Sequence, residues 1–210
     1  MSDLLYTVFT TIAPAYETEF NVWQETEHCP YLMELPGYQS VIRYKDLERP
    51  YRYANFWHIC SMRDFDNPER LTRAKTPWGN FLSPYRDRRI DFYVQDDGLM
   101  VSPPLAEISE TFTLLLMETY SDVADAELNL TPTYRDLRLR LKQLPGVLDV
   151  RLYHAYERRG VDENCVFYYL KGSEEQIRSR VLPSIDYTMG TAVRQKSRSL
   201  LQRISKNKKL

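Results

Sequence analysis

The tripeptide Leu-Pro-Gly occurs twice in this chain of 210 residues, at positions 35–37 and 144–146. In both places a tyrosine follows seven residues after the glycine, as Tyr44 and Tyr153. Proline followed by glycine is a turn signal, and strand-forming residues follow each copy. A helix–turn–strand unit that occurs twice favours folds made of two similar halves, each of about 100 residues.

The order of predicted elements is the same in both halves: strand, helix, strand, strand, helix, strand. The first half has predicted strands at 4–10, 38–44, 51–60 and 89–94, and predicted helices at 15–28 and 68–74. The second half has predicted strands at 112–119, 147–156, 165–170 and 191–201, and predicted helices at 131–144 and from the capping box at Ser173. The segment 191–201 is either a strand with a helical or frayed end, which we favour, or a terminal helix.

This order is that of the ferredoxin-like fold, and it predicts an α+β protein with antiparallel sheets. A four-stranded sheet with two helices on one face leaves its other face uncovered. Two such units are therefore expected to close these faces against each other as an α+β barrel. The expected boundaries are 1–98 for the first unit, 99–106 for a linker and 107–210 for the second unit. Closure within one chain and pairing in a homodimer both fit the repeat.

Pro30 is expected to disturb the first helix. Because a proline disfavours helical geometry at the residue before it, the helix should kink or loosen just after His28. An imidazole at such a position can project beyond the surface of the helix.

Composition argues against several classes of function. The formal net charge of -1 gives no general attraction for nucleic acid or membranes, and no apolar run is long enough to span a bilayer. Three cysteines without a C-x-x-C pair indicate reduced thiols in a cytoplasmic protein. No histidine pair has metal-site spacing, and no phosphate loop or dinucleotide fingerprint occurs, so neither a metal nor a cofactor is expected. The 16 tyrosines, against 8 phenylalanines, favour a cavity with polar lining.

Around the first turn the sequence resembles the EthD-like branch of the dimeric α+β barrel superfamily. The resemblance rests on a helix with a Glu-His pair, a Pro-Gly turn and a strand with Arg-Tyr, here Trp23, Glu27, His28, Pro30, Pro36, Gly37, Arg43 and Tyr44. It implies a ligand cavity between sheet and helices, where histidines and tyrosines move protons without a metal or cofactor. The helix of the second half ends in Lys142-Gln143-Leu144 and lacks the pair. The first unit is therefore the expected active-site half, and the second the structural half.

The candidate residues follow from this chemistry, since an imidazole titrates near neutral pH and can both take and give a proton. The predicted catalytic residues are His28, His58 and Tyr44, and the two histidines are expected to converge on one pocket. The predicted substrate-binding residues are Tyr6, Arg43, Trp57, Asp91 and Tyr93. A buried Asp91 needs a partner, for which Arg43 and His58 are the candidates.

These features predict a cofactor-independent enzyme that acts on a small aromatic, lactone or polyketide-like substrate by isomerisation, cyclisation or elimination. Two alternatives stay open. One is a haem-binding enzyme with His58 or His154 as the axial ligand. The other is a non-catalytic protein that binds a small metabolite.

Overall fold

The computed structural model describes residues 4–96, 112–121, 132–156, 163–189 and 195–208. The predicted linker at 99–106 lies outside these residues. The described chain divides into two compact units. One contains the described residues up to Val94 together with those from Arg203 onward, and the other contains those from Gln95 to Gln202.

The first unit contains a four-stranded antiparallel sheet in the order β2-β3-β1-β4. Its strands are β1 (Leu4–Ile12), β2 (Tyr38–Asp46), β3 (Arg52–Ile59) and β4 (Arg86–Asp96). Its helices are α1 (Glu17–Trp23), α2 (Cys29–Met33), α3 (Met62–Phe65), α4 (Pro68–Ala74) and α5 (Pro77–Leu82). The predicted start of α4 is confirmed, because the Asn67 side chain accepts a hydrogen bond from the Glu69 amide at 3.0 Å.

The second unit repeats this arrangement with the sheet order β6-β7-β5-β8, also antiparallel. Its strands are β5 (Leu114–Ser121), β6 (Val147–Ala155), β7 (Glu163–Leu170) and the part of β8 (Gln195–Lys208) up to Gln202. Its helices are α6 (Pro132–Lys142), α7 (Glu174–Gln176) and α8 (Leu182–Met189). The predicted α+β class with antiparallel sheets is confirmed, and so is the capping box between Ser173 and Gln176.

The end of the chain differs from the expectation. A strand was expected in this segment, and β8 pairs with β5 from Gln195 to Gln202. The expected helical or frayed end is wrong, and so is the terminal helix, because β8 continues as a strand to Lys208. The predicted start of the strand at 191–194 lies outside the described residues.

A π turn at Gln24–His28 joins α1 to α2. Within it the Cys29 amide donates to the Gln24 carbonyl, five residues back. The expected kink or loosening just after His28 is wrong in position, because the π turn ends at His28 and the helix continues from Cys29. The wider turn places Pro30 in the first turn of α2, where a missing amide proton is tolerated, so the helix runs on to Met33.

The two Leu-Pro-Gly turns have the same geometry. Gly37 and Gly146 adopt φ values of 80° and 90°, which favour glycine. The Gly37 carbonyl accepts a hydrogen bond from the Cys60 amide at 2.9 Å, and the Gly146 carbonyl accepts one from the Lys171 amide at 2.8 Å. In each unit the donor directly follows the third strand. The turns therefore fix the second strand against the third, which is an architectural role.

Candidate functional site

The sheet of the first unit has one face covered by α1, the π turn and α2, and the side chains of β3 alternate between this face and the other. Asn55 donates a hydrogen bond to Gln24 of the π turn, and the Trp57 ring meets the ring of His28. Phe56 points to the opposite face, where its ring contacts those of Phe9 and Tyr44. We call these two sides the helix face and the open face.

The predicted site residues divide between these faces. Tyr6, Arg43, Trp57 and His28 lie on the helix face. By strand alternation and register, Tyr44, His58, Asp91 and Tyr93 lie on the open face. The expectation that His28 and His58 converge on one pocket is therefore wrong, because the backbone of the sheet lies between them.

His28 is the last residue of the π turn, and two tryptophans flank its imidazole. The ring centroid of His28 lies 4.5 Å from that of Trp23 and 6.1 Å from that of Trp57. His28 keeps part of its surface exposed, but its Nδ1 atom is buried and has no hydrogen-bond partner among the described residues. The wider turn carries this ring between the helix and the sheet.

The surroundings of His28 favour its neutral form. Burial lowers the pKa of the imidazole to about 3, and positive charge from Arg86, Arg88, Arg43 and Arg70 acts in the same direction. The ring is thus unprotonated at neutral pH. A neutral imidazole with a buried, unpartnered nitrogen can bind a polar group of a ligand or accept a proton from it.

An aromatic cluster continues from Trp57 across the helix face. The ring of Tyr6 stacks on the indole with centroids 5.7 Å apart, and the ring of Tyr38 meets the indole edge-on at 5.6 Å. The Trp57 Nε1 atom is buried and has no hydrogen-bond partner among the described residues. Burial raises the pKa of both tyrosine hydroxyls, so these groups stay protonated.

A buried polar network borders this cluster, and its amide members were not predicted from the sequence. The Gln24 Oε1 atom accepts hydrogen bonds from Asn55 Nδ2 at 2.7 Å and from Cys29 Sγ at 3.5 Å. Period two along β3 places Asn55 beside Trp57, and that signal could have identified it.

Arg43 is buried on the helix face, with a side chain that is 1% exposed. Its guanidinium donates to Glu25 Oε1 at 3.0 Å and to Asn21 Oδ1 at 2.7 Å. Both of its Nη atoms thus hold protein partners, so Arg43 fixes the helix against β2. Its predicted role in substrate binding stays a prediction.

On the open face, Asp91 is buried and forms an ion pair with Arg89 at 2.8 Å. Arg43 is not its partner, because Arg43 lies on the helix face. Arg89 lies two residues away on the same side of β4, which makes it the nearest cation in sequence on that face.

The second unit has no equivalent of His28, since His154 is its only histidine. His154 lies near the end of β6 and is partly exposed. One of the buried charged residues of this unit is Asp149, which Lys142 and Arg151 both contact at 2.9 Å. Burial opposes ionisation of this carboxyl, but the two hydrogen bonds outweigh it and keep the pKa below its usual value. These contacts join α6 to β6.

The described ranges contain neither a cluster of metal-binding side chains nor a helix of membrane-spanning type. No three histidine, cysteine, aspartate or glutamate side chains there are grouped so that they could hold a metal ion. No helix in the same ranges is both long and apolar enough to cross a membrane.

The fold is similar to that of several solved structures. An "anthrone oxidase-like protein" matches with a TM-score of 0.66 at 12% identity, over 99% of this chain and 94% of that one. A Fusobacterium nucleatum protein described as a "putative monooxygenase" matches with a TM-score of 0.62 at 13% identity, over 99% and 95%. A haem-binding protein from Thermus thermophilus matches with a TM-score of 0.60 at 10% identity, over 97% and 92%. Chlorite dismutases are also among the matches.

No family of known proteins matches the sequence. No curated protein matches it either. The structural matches at these identities establish the fold.

Proposed function

We propose that this protein is a cofactor-independent enzyme that transfers a proton to and from a small aromatic, lactone or polyketide-like substrate. The proposal rests on one observation: His28 Nδ1 is buried without a hydrogen-bond partner among the described residues, in a setting that keeps the imidazole neutral. We place the reaction on the helix face of the first unit and assign His28 as the base.

The proton comes from an acidic C–H or O–H group conjugated to a substrate carbonyl. It moves to His28 Nδ1, and the electron pair delocalises onto the carbonyl oxygen. The arginines that lower the pKa of His28 also stabilise this anion. The anion lies beside the new imidazolium and raises its pKa, which offsets the low basicity of His28 before the substrate binds.

Two neighbours of His28 have roles in the same proposal. Trp57 Nε1 is a buried donor without a partner among the described residues, and it donates to the oxygen that gains charge. Tyr6 stacks on Trp57 and forms an aromatic wall for a planar substrate.

The Glu27-His28 and Arg43-Tyr44 motifs favour the EthD-like branch within this fold. Tyr44 and His58 lie on the open face, so we leave them out of this reaction. We also infer a homodimer as the assembly, which size-exclusion chromatography with light scattering tests.

The test uses anthrone, whose methylene hydrogens are acidic because the carbanion is conjugated to the ring carbonyl. The purified protein, in D₂O under nitrogen, should accelerate exchange of these hydrogens for deuterium, followed by proton NMR. His28→Asn should reduce the enzymatic rate by about a hundredfold or more, the usual contribution of a general base. His154→Asn is the matched control and should keep the rate. Full exchange activity in His28→Asn contradicts the assignment.

Haem binding is the second candidate, because one protein of similar fold is named as haem-binding. An axial ligand needs a free imidazole nitrogen, and His28 Nδ1 offers one; His58 and His154 are the ligands that sequence favoured. Titration with haemin tests all three. A Soret band that one of the variants His28→Ala, His58→Ala or His154→Ala removes would favour haem over proton transfer.

A further inference from the structure

A cleft of about 330 Å³ lies in the first unit, where the β2–β3 loop meets β1 and β4. Four arginines and one carboxylate contribute to its lining: Arg49, Arg52, Arg88, Arg89 and Asp87. Phe9 forms its apolar wall. The proposed reaction at His28 shares only Arg88 with this cleft. Its volume lies within the range typical of sites for small ligands.

Two of the arginines are held in fixed positions. The guanidinium groups of Arg52 and Arg89 lie 4.6 Å and 5.0 Å from the ring centroid of Phe9. Arg52 also contacts the buried carboxylate of Asp46 at 3.7 Å, and Arg89 contacts that of Asp91 at 2.8 Å. A ring face and a carboxylate restrict each guanidinium, so its remaining N–H groups are oriented before any ligand arrives.

The other two arginines have no such partner. Within the part of the chain that the structure describes, no carboxylate lies within ion-pair distance of Arg49 or Arg88. Both side chains are exposed. The four arginines outnumber the three carboxylates near them, which are Asp87 and the partners Asp46 and Asp91. The cleft therefore has an excess of positive charge. Fixed donors, exposed unpaired cations and an apolar wall form a setting suited to an anion with an organic portion.

We propose that this cleft binds a small organic anion with two or more phosphate or carboxylate groups. Arg52 and Arg89 orient one anionic group against the Phe9 wall. Arg49 binds a second group, and Arg88, whose side chain lies on the helix face of β4 by strand alternation, adds positive charge. The guanidinium fork binds phosphate and carboxylate in the same bidentate manner, so the experiment distinguishes the two.

The probes are pyrophosphate for the phosphate class and citrate for the carboxylate class, with chloride as the reference anion. Binding to the full chain is measured by isothermal titration calorimetry at low ionic strength. At least one probe should bind with a dissociation constant in the millimolar range or lower, and its affinity should fall as salt is added. Binding of pyrophosphate but not citrate would assign the site to phosphate ligands, and binding of citrate but not pyrophosphate would assign it to carboxylates. Binding of each probe would assign it to polyanions in general. The absence of binding by either probe overturns the proposal.

The double variant Arg49→Gln with Arg88→Gln should weaken binding by about tenfold or more, since each charge-assisted contact is strong. Arg63→Gln, an exposed arginine on α3 outside the cleft, is the matched control and should leave the affinity unchanged. Equal affinity in the double variant and the wild type overturns the proposal. His28→Asn should bind the probes with the wild-type affinity. If the proton-transfer proposal fails its own test, the proposal of an anion site is therefore unaffected.

Discussion

The imidazole of His28 and the indole of Trp57 are perpendicular, with ring centroids 6.1 Å apart. His28 Nδ1 and Trp57 Nε1 are both buried without hydrogen-bond partners among the described residues. Buried polar atoms are usually satisfied, and the unsatisfied ones need an explanation. A substrate between helix and sheet would satisfy both if its oxygen accepted from Trp57 Nε1 and its acidic hydrogen bonded to His28 Nδ1.

Stability should fall with decreasing pH because of His28. In the unfolded chain this residue binds a proton below about pH 6.5, whereas burial and nearby arginines keep it neutral to about pH 3 in the folded chain. The unfolded state therefore binds more protons between these values, so the stabilisation is complete above the unfolded pKa and is lost as the pH falls. The expected loss between pH 7 and pH 5 is about 2 kcal/mol.

Urea unfolding of the wild type and of His28→Asn at pH 7 and pH 5 measures how much unfolding free energy His28 contributes to this loss. The variant should lose about 2 kcal/mol less than the wild type over this interval. Equal losses in the wild type and His28→Asn would show that His28 binds its proton as readily in the folded chain as in the unfolded chain.

Trp57→Phe should reduce the exchange activity in a protein that is still folded. The substitution keeps an aromatic ring and removes a buried donor that has no partner among the described residues. Its cost in stability is the cavity left by the smaller ring, about 1–3 kcal/mol. The anthrone exchange rate should fall by about tenfold, the effect of losing one hydrogen bond of about 1.4 kcal/mol to the developing anion. A folded variant with the wild-type rate would remove Trp57 from the reaction.

The fold was predictable because its signals are local. The alternation of apolar and polar residues, the two Pro-Gly turns and the Asn67 cap are properties of short segments. Each signal predicted a strand, a turn or a helix start that the structure contains. The face of the sheet on which the side chains of His58 and Tyr44 lie was not predictable in the same way. It depends on the register of β3 against β1 and β2, and β2 has an irregularity between Tyr38 and Ser40. A one-residue shift moves every side chain to the other face.

The site residues that sequence missed are those that depend on the position of the helix over the sheet. Gln24 and Asn55 are 31 positions apart, and only the packed fold shows that they form a hydrogen bond. The sequence predicts only a kink or loosening just after His28, whereas the π turn lies at Gln24–His28. Its position before the proline determines where His28 points, and no propensity in the sequence specifies that.

Gln24 and Asn55 should be strongly coupled. Asn55→Leu leaves the buried Gln24 amide without its 2.7 Å donor and should cost about 1–3 kcal/mol in unfolding free energy. In the double variant Gln24→Leu with Asn55→Leu both polar groups are gone, so the cost should be less than the sum of the two single costs. Urea unfolding in a double-mutant cycle measures this coupling. Additive costs would mean that the amide pair does not act as one unit.

Gly37→Ala should destabilise the first unit. The residue has φ of 80°, and an added Cβ would clash with the carboxylate of Asp64, whose Oδ2 atom accepts a hydrogen bond from Ser61. The left-handed backbone alone costs about 1–2 kcal/mol in unfolding free energy. Displacement of Asp64 adds to it, so Gly37→Ala should cost less in an Asp64→Ala background. An equal cost in both backgrounds, measured by thermal unfolding, would show that the carboxylate moves away freely.

The exchange of anthrone hydrogens for deuterium in D₂O under nitrogen tests the central claim most directly. The wild type and His154→Asn should exchange them at the same enzymatic rate, and a folded His28→Asn should be slower by about a hundredfold or more. Equal rates in all three proteins, or no acceleration by the wild type, would contradict the assignment of His28 as the base of a proton-transfer enzyme.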